Sequence, residues 1–98
     1  MEVRFLEIAQ IELDEAVKYY NSKSPYLGGE FLSEILSAIK HIKHFPRAWH
    51  PFSNNTRRCQ VHRFPYGVIY QILDTEILII AIANLHRKPD YWEERIDK

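Results

Sequence analysis

The sequence predicts an α+β domain in which two N-terminal helices pack on an antiparallel sheet, made of a first strand and a three-stranded meander, with a short C-terminal helix at the end. Apolar residues recur every three or four positions in the first half of the chain, which is the period of an amphipathic helix. In the second half, short turns separate short apolar runs, as in neighbouring antiparallel strands. The 98 residues suffice for one hydrophobic core, so residues 1–98 are predicted to form a single domain.

The first half of the chain predicts one strand and two helices. Residues 3–8 are rich in β-branched and aromatic side chains, which favour a strand. An apolar series with helical spacing comes next, and its members are Ala9, Leu13, Ala16, Val17 and Tyr20. Acidic residues such as Glu12 occupy the other side of this helix. A second amphipathic helix is predicted to begin near residues 25–27, or near Glu30 because two glycines weaken its first turn, and to run to Phe45.

The second half of the chain predicts a loop followed by a meander. Residues 46–55 contain two prolines and an Asn-Asn pair, which predict the loop. Three strands are predicted, at residues 57–64, 68–73 and 77–85. The turns between them are short, so consecutive strands should be antiparallel neighbours. Arg63 and Phe64 reverse the alternation of the first of these strands, which indicates a bulge or a strand end.

The last predicted strand is apolar on both of its faces, which indicates a central position with cover from both sides. The two helices cover one face. The other face requires either the C-terminal segment or another chain.

Composition excludes several classes of protein. The longest apolar run covers residues 77–83, far short of the roughly 20 residues of a membrane-spanning helix. The N-terminus lacks the apolar segment of a secretory signal, so a cytoplasmic location is expected. Cys59 is the single cysteine, which excludes an internal disulfide and predicts a buried structural thiol.

The zero net charge conceals an uneven distribution along the chain. Residues 1–34 carry seven acids and three bases (net −4), residues 35–73 six bases and no acid (net +6), and residues 74–98 six acids and four bases (net −2). The basic residues of the middle block are Lys40, Lys43, Arg47, Arg57, Arg58 and Arg63, with His41, His44, His50 and His62 among them. This block predicts a footprint for nucleic acid or an acidic protein, or else a solvated basic face. Lys43 lies on the flank of the second helix and should be exposed.

Motifs for phosphate loops, dinucleotides, zinc clusters or a nucleophilic serine are absent from the sequence, so no cofactor and no metal are expected. The polar groups left as candidates stand at strand ends, and they are Arg57, Arg58, His62, Arg63, His86, Arg87 and Tyr91. Cleavage of RNA by its own 2′-hydroxyl needs a proton acceptor, a proton donor and cations for the developing phosphate charge. Arginine, histidine and tyrosine can fill these roles. The alternative is structural: Arg87 and Tyr91 tie down the C-terminal segment while Trp92 seals the edge of the core.

Several segments together resemble a known family. They are LDEAVKYY in the first helix, the loop FPRAW, the pair of strands RR…RFPYGVIYQI and the closing IAIANLHRKPDYW. Over essentially the whole chain they resemble the RelE/ParE superfamily of toxins from bacterial toxin–antitoxin systems, often labelled plasmid stabilisation proteins. The FPYGVIY turn and the Tyr-Trp tail are closer to the ParE-like branch.

The resemblance implies a toxin that causes growth arrest and is held inactive by a cognate antitoxin, whose extended or helical segment wraps over the sheet and the basic groove. RelE-like members cut messenger RNA at the ribosome, whereas ParE-like members bind DNA gyrase. For RNA cleavage the family pattern would assign phosphate contacts to Arg58 or Arg63, transition-state stabilisation to Arg87, and acid/base work to Tyr91 or His86.

Three functional hypotheses therefore stand. The first is a ParE-like toxin that binds gyrase. Whether the partner is nucleic acid or a protein target, its binding surface is expected to include Lys43, Arg47, Arg57, Arg58 and His62. The second is a RelE-like endonuclease that uses Arg63, Arg87, His86 and Tyr91, although the lysine often found ahead of the meander in that branch has no counterpart within residues 47–56. The third is a binding module without toxicity.

Overall fold

A computed structural model describes residues 1–51 and 55–96. In chain order the elements are β1 (Glu2–Phe5), α1 (Glu7–Lys23), α2 (Leu27–His44), β2 (Thr56–Gln60), β3 (Tyr66–Ile72), β4 (Glu76–Asn84) and a 3-10 turn (Glu93–Arg95). The predicted α+β class and the order of its elements are confirmed. Of the predicted loop at residues 46–55, residues 52–54 lie outside the described part of the chain.

The sheet has the order β1-β4-β3-β2, so β4 lies in its interior, as its apolar faces predict. β2, β3 and β4 form the predicted antiparallel meander. β1 differs from the prediction, because it pairs parallel to β4 and makes the sheet mixed. Parallel neighbours need a crossover connection, and the pair of helices that follows β1 is part of it. The sequence predicts the two helices, but it does not show that the later strand β4 is placed beside β1.

The predicted C-terminal helix is reduced to the 3-10 turn. Asp90 has a φ of 65°, which excludes a helix across that residue. Ile96 is already extended, with φ −97° and ψ 128°. The backbone between these two residues leaves room for one turn only.

Both faces of the sheet are covered. The helical face packs the buried side chains of α1 and α2 against the sheet, and these are Ala9, Leu13, Ala16, Phe31, Ile35, Ala38 and Ile42. The opposite face carries Ile69, Ile80, Ala81 and Ala83, which pack with Trp92 and Ile96. Trp92 is only 4% exposed, so the C-terminal segment supplies the second cover and the structural interpretation of Trp92 is confirmed.

The loss of alternation near Arg63 marks the end of a strand. β2 stops at Gln60, and Phe64 turns into the core beneath the helices. Its ring meets Phe31 edge-on at 5.1 Å and Tyr20 at 4.8 Å between centroids. Burying the Phe64 ring is worth more free energy than extending β2 by a few residues, so the strand ends and the ring enters the core. The irregularity within the sheet lies elsewhere, at the register shift between Ile69 and Tyr70.

The two helices approach closely at Gly28. A Cβ atom at this position would collide with the Val17 carbonyl and with the Asn21 side chain. The Gly28 N–H donates to Asn21 Oδ1 at 2.8 Å, which fixes the connection between α1 and α2. Over residues 1–51 and 55–96, no helix combines the length and the apolar character needed to cross a membrane.

Candidate functional site

A carboxylate from α1 completes the edge of β4 beyond the end of β1. The Ile82 N–H donates to Glu12 Oε1 at 3.0 Å, in place of a neighbouring strand. The Arg95 guanidinium donates to both Glu12 oxygens, at 2.8 and 3.0 Å, and also to the Ile80 carbonyl at 3.1 Å. The Tyr91 hydroxyl donates to Glu12 Oε2 at 2.7 Å. We call this group of Glu12, Tyr91 and Arg95 the tail clasp, because it fastens the C-terminal segment to α1 and β4.

Sequence reasoning missed the tail clasp. Glu12 belongs to the polar side of the predicted helix, and Arg95 carries no recognisable motif. A signal exists in the helical wheel, since Glu12 lies one turn from Ala9 and from Ala16 at the border of the apolar stripe. A carboxylate at such a border is half-buried and requires a partner.

Two of the four proposed catalytic residues meet at the rim of a cleft of about 260 Å³, which we call the tail cleft. Its polar and aromatic lining consists of Glu12, Glu15, Tyr19, Tyr66, Asn84, Arg87 and Tyr91. The Arg87 guanidinium carbon lies 3.8 Å from the centre of the Tyr91 ring. His86 is exposed beside them, and its backbone N–H donates to Asn84 Oδ1 at 2.9 Å.

The remaining proposed catalytic residue, Arg63, has a different environment. Its guanidinium pairs with Glu30 of α2 at 2.9 Å, and its carbon lies 5.4 Å from the centre of the Phe64 ring. Arg63 thus joins the meander to α2, whereas Arg87 and Tyr91 line the tail cleft.

The tail cleft holds Tyr91 as a hydrogen-bond donor. Burial, and then the hydrogen bond to Glu12, raise the pKa of the Tyr91 hydroxyl well above its ordinary value of 10.0. Burial likewise raises the pKa of the neighbouring Tyr66. Both phenols are therefore protonated at neutral pH. A general base or acid works best with a pKa near the working pH, and neither tyrosine meets this condition.

Arg58 lies on the face of the sheet that the C-terminal segment covers. A Cβ atom at Gly67 would lie 3.1 Å from Arg58 Cγ and 3.3 Å from Cδ, so the absence of a side chain there leaves room for Arg58 to cross β3. Arg58 then shares a cavity of about 80 Å³ with Arg87, Lys88 and Trp92. Asp90 lines this cavity as well, so three cationic side chains and one carboxylate give it a net positive lining.

Arg57 points to the other side and holds the loop. Its Nη1 donates to the Trp49 carbonyl and, at 3.4 Å, to the Arg47 carbonyl. The Arg47 side chain is exposed in this loop, and Lys43 is exposed on α2, as predicted. Arg57 is therefore structural and Arg63 is paired with Glu30, whereas the other exposed cations of the basic block on α2 and the loop are Lys40, Lys43 and Arg47.

A second cleft, of about 470 Å³, runs between α2 and β2, and we call it the β2 groove. Its lining residues are Glu34, Ser37, Ala38, His41, Trp49, Arg58, Cys59, Gln60, Val61 and His62. β2 is an edge strand, and the Val61 N–H donates inwards to the Tyr66 carbonyl at 3.0 Å. Because backbone groups alternate along an antiparallel strand, those of Gln60 face the open side. Within residues 1–51 and 55–96, no group of three or more His, Cys, Asp or Glu side chains is arranged to hold a metal ion.

Cys59 forms part of the wall of this groove and is a buried free thiol, as predicted. Burial raises its pKa from an ordinary 9.0 to about 11. We expect native protein at pH 8 to react with iodoacetamide at least tenfold more slowly than protein unfolded in urea, because the thiolate is the reactive form. Equal alkylation rates in the two states would contradict this burial.

The raised pKa of Cys59 also predicts how stability depends on pH. The free energy of unfolding should fall as the pH rises from about 9 to about 11, because the thiol of the unfolded chain ionises first.

The comparisons with known proteins agree with this architecture. A family model described as "ParE toxin of type II toxin-antitoxin system, parDE" matches residues 3–91. The chain therefore belongs to the ParE toxin family, and the predicted resemblance to the ParE-like branch of the RelE/ParE superfamily is confirmed. A solved structure titled "Chromosomal ParDE TA system from P. aeruginosa" is similar in fold, with a TM-score of 0.77 and 19% identity over 88% of this chain and 97% of that chain. No curated protein sequence matches.

Proposed function

We propose that this chain is the toxin of a type II toxin–antitoxin system, that it arrests growth by binding DNA gyrase, and that a cognate antitoxin is its constitutive partner. Membership of the ParE toxin family supports the toxin role. The observation that carries the choice of mechanism is the hydrogen bond from the Tyr91 hydroxyl to Glu12, because it commits the proposed acid/base group to a structural contact. A protein-binding poison needs no acid/base group.

The other candidates for RNA cleavage support the same choice. Arg63 is paired with Glu30 and does not line the tail cleft. Arg87 stacks on the Tyr91 ring, where its guanidinium reinforces the closed C-terminal segment. Of the proposed catalytic residues, Arg87 and the committed Tyr91 line the cleft, which falls short of the acid, base and cation that the reaction requires.

The β2 groove suits the antitoxin. Pro51 already bridges the outer edge of β2 at Arg57, so the part of this edge left for an extended partner segment is at Gln60, beside the cleft of about 470 Å³. There backbone hydrogen bonds would supply affinity, and side-chain contacts in the cleft would supply specificity. His41 and His62 line this cleft together with the Trp49 ring. The sequence predicts that the basic block binds nucleic acid or an acidic protein, and we propose that this acidic protein is the antitoxin.

RNA cleavage remains the second candidate because of one observation. Arg58, Arg87 and Lys88 border the same cavity of about 80 Å³ together with one acid, Asp90, and two arginines in a net positive cavity are suited to a phosphate. Under this candidate the protein would cut translated messages. A module without toxicity is the third candidate, and it predicts no growth arrest.

Induced expression without antitoxin separates the three functions. We expect growth arrest with a DNA-damage response, copurification of gyrase and intact messenger RNA. Cleaved translated messages with undamaged DNA would exclude gyrase as the target. Normal growth at full expression of folded protein would exclude a toxin of either kind.

Tyr91→Phe gives a residue-level test of the same choice. The change removes the hydrogen bond to Glu12 and keeps the ring that stacks with Arg87, so we expect a loss of about 1 kcal/mol in the free energy of unfolding. Growth arrest should persist at the wild-type level. Tyr66→Phe is a matched control, because Tyr66 lines the same cleft and also has a raised pKa. Loss of arrest by folded Tyr91→Phe, with arrest retained by Tyr66→Phe, would favour acid/base catalysis by Tyr91.

A further inference from the structure

The turn between α1 and α2 contains a residue in an unfavourable backbone conformation. In the described part of the chain, three residues other than glycine have positive φ: Tyr26 at 68°, Asn55 at 58° and Asp90 at 65°. Asparagine and aspartate tolerate this left-handed region because their short side chains bond to the local backbone. A tyrosine does not, so Tyr26 is the outlier of the three.

The helix crossing imposes this conformation. Gly28 lies against the Val17 carbonyl and donates its N–H to Asn21 Oδ1, which leaves a turn of a few residues to reverse the chain. The Tyr26 carbonyl then accepts the N–H of Glu30 at 3.2 Å, in the first turn of α2. Glycine or asparagine at position 26 would satisfy the same backbone with less strain.

The Tyr26 side chain packs against little of the fold. It is 85% exposed, compared with 67% for Phe45 and 53% for Tyr19, which are also large exposed side chains. Its neighbours from Asn21 to Pro25 are exposed as well, so the ring stands on a convex tip. A strained residue whose side chain makes little packing contribution indicates a role outside the isolated chain.

We infer that Tyr26 is an anchor that inserts into an apolar pocket of the protein that the toxin inhibits. This inference rests on the proposed function, in which that protein is DNA gyrase. Tyrosine is a frequent anchor in interfaces, because its rigid ring fills a pocket at a small entropy cost and its hydroxyl bonds at the pocket floor. A convex tip needs a concave partner surface, whereas the antitoxin segment assigned above is itself received by a concave groove of this chain. Lys23 is exposed three residues from Tyr26, with its ammonium 5.1 Å from the centre of the Tyr19 ring, and it can still meet an acidic rim from its solvent side.

The test uses Tyr26→Asn in the full chain. We expect its unfolding temperature to rise by roughly 4 °C or more, because strain is removed. Its affinity for purified gyrase should fall at least tenfold, measured by surface plasmon resonance beside the wild type. Affinity for the antitoxin should stay within twofold. Leu36→Ala is the control, since it removes a large side chain that is 53% exposed on α2 and should leave gyrase affinity unchanged.

Each alternative result overturns the inference in a distinguishable way. Gyrase binding by Tyr26→Asn equal to that of the wild type would reject the anchor and leave the proposed function intact. Absence of gyrase binding by the wild type would reject the proposed function and the anchor together. A lower unfolding temperature for Tyr26→Asn would show that the tyrosine stabilises the turn. A loss confined to antitoxin binding would mean that Tyr26 contacts the antitoxin instead of gyrase. An equal loss of gyrase binding in Leu36→Ala would remove any special role of Tyr26.

Discussion

Replacing Glu12 with alanine is expected to lower the free energy of unfolding by about 3 kcal/mol, at the lower end of the range for a broken buried pair because Glu12 and Arg95 keep 15% and 14% of their side-chain surface. The change leaves the Arg95 guanidinium half-buried without its carboxylate, and it also removes the acceptor of the Ile82 N–H. An orphaned charge and an orphaned backbone donor are both costly in a site with little water. Urea denaturation monitored by circular dichroism measures the effect.

Glu76→Ala is the matched control for this change. Glu76 pairs with Arg4 at 2.8 Å, the same separation as the pair in the tail clasp, but the Arg4 side chain is 54% exposed. The pairing lowers the pKa of Glu76 through the hydrogen bond, yet water already solvates both charges. The unfolding midpoint of Glu76→Ala should therefore stay close to that of the wild type. Equal shifts in the two variants would show that burial does not govern these pairs.

Local sequence patterns predict the parts of this fold that depend on local contacts. The three- and four-residue spacing from Ala9 to Tyr20 places α1, and the apolar series from Phe31 to Ile42 places α2, because a helix satisfies its backbone within one segment. The meander is predictable for a similar reason, since its turns are short. The parallel pairing of β1 with β4 joins Glu2 to Glu76, and no pattern within either segment encodes that choice of edge.

In the candidate site, too, contacts between residues that are close in sequence could be predicted, whereas contacts between distant residues could not. Arg87 and Tyr91 are four residues apart, and sequence reasoning already places both at the C-terminal segment where they stack. The pair of Glu12 and Arg95 spans 83 positions, and the pair of Glu30 and Arg63 spans 33. Neither was predictable, because charges so far apart in sequence meet only after the sheet has formed. Its place at the end of a strand and the family pattern make Arg63 a catalytic candidate, but the side chain that meets it belongs to α2.

Trp92→Ala is expected to lower the free energy of unfolding by about 3–5 kcal/mol, the range for loss of a large buried aromatic side chain. Trp92 is 4% exposed and covers the face of the sheet that carries Ile69 and Ile80, where no helix can take its place. Unfolding should shift to lower urea concentration, and the native variant should bind the dye ANS through the uncovered apolar face.

Trp49→Ala is the matched tryptophan control, since Trp49 is half-buried at the edge of the helical face and meets Tyr70 edge-on at 6.5 Å. Its loss should cost less than about 2 kcal/mol, because water can reach the site and the loop can close over it. If Trp92→Ala lowers the free energy of unfolding no more than Trp49→Ala does, the C-terminal segment is not part of the cooperative core. In that case the clasp of Glu12, Tyr91 and Arg95 would hold the segment by itself, and Tyr91 would be released from its structural hydrogen bond whenever that clasp opens. The same measurement of stability therefore tests whether the core or the clasp alone fixes Tyr91 in place, which is the premise on which the proposed choice of a protein target rests.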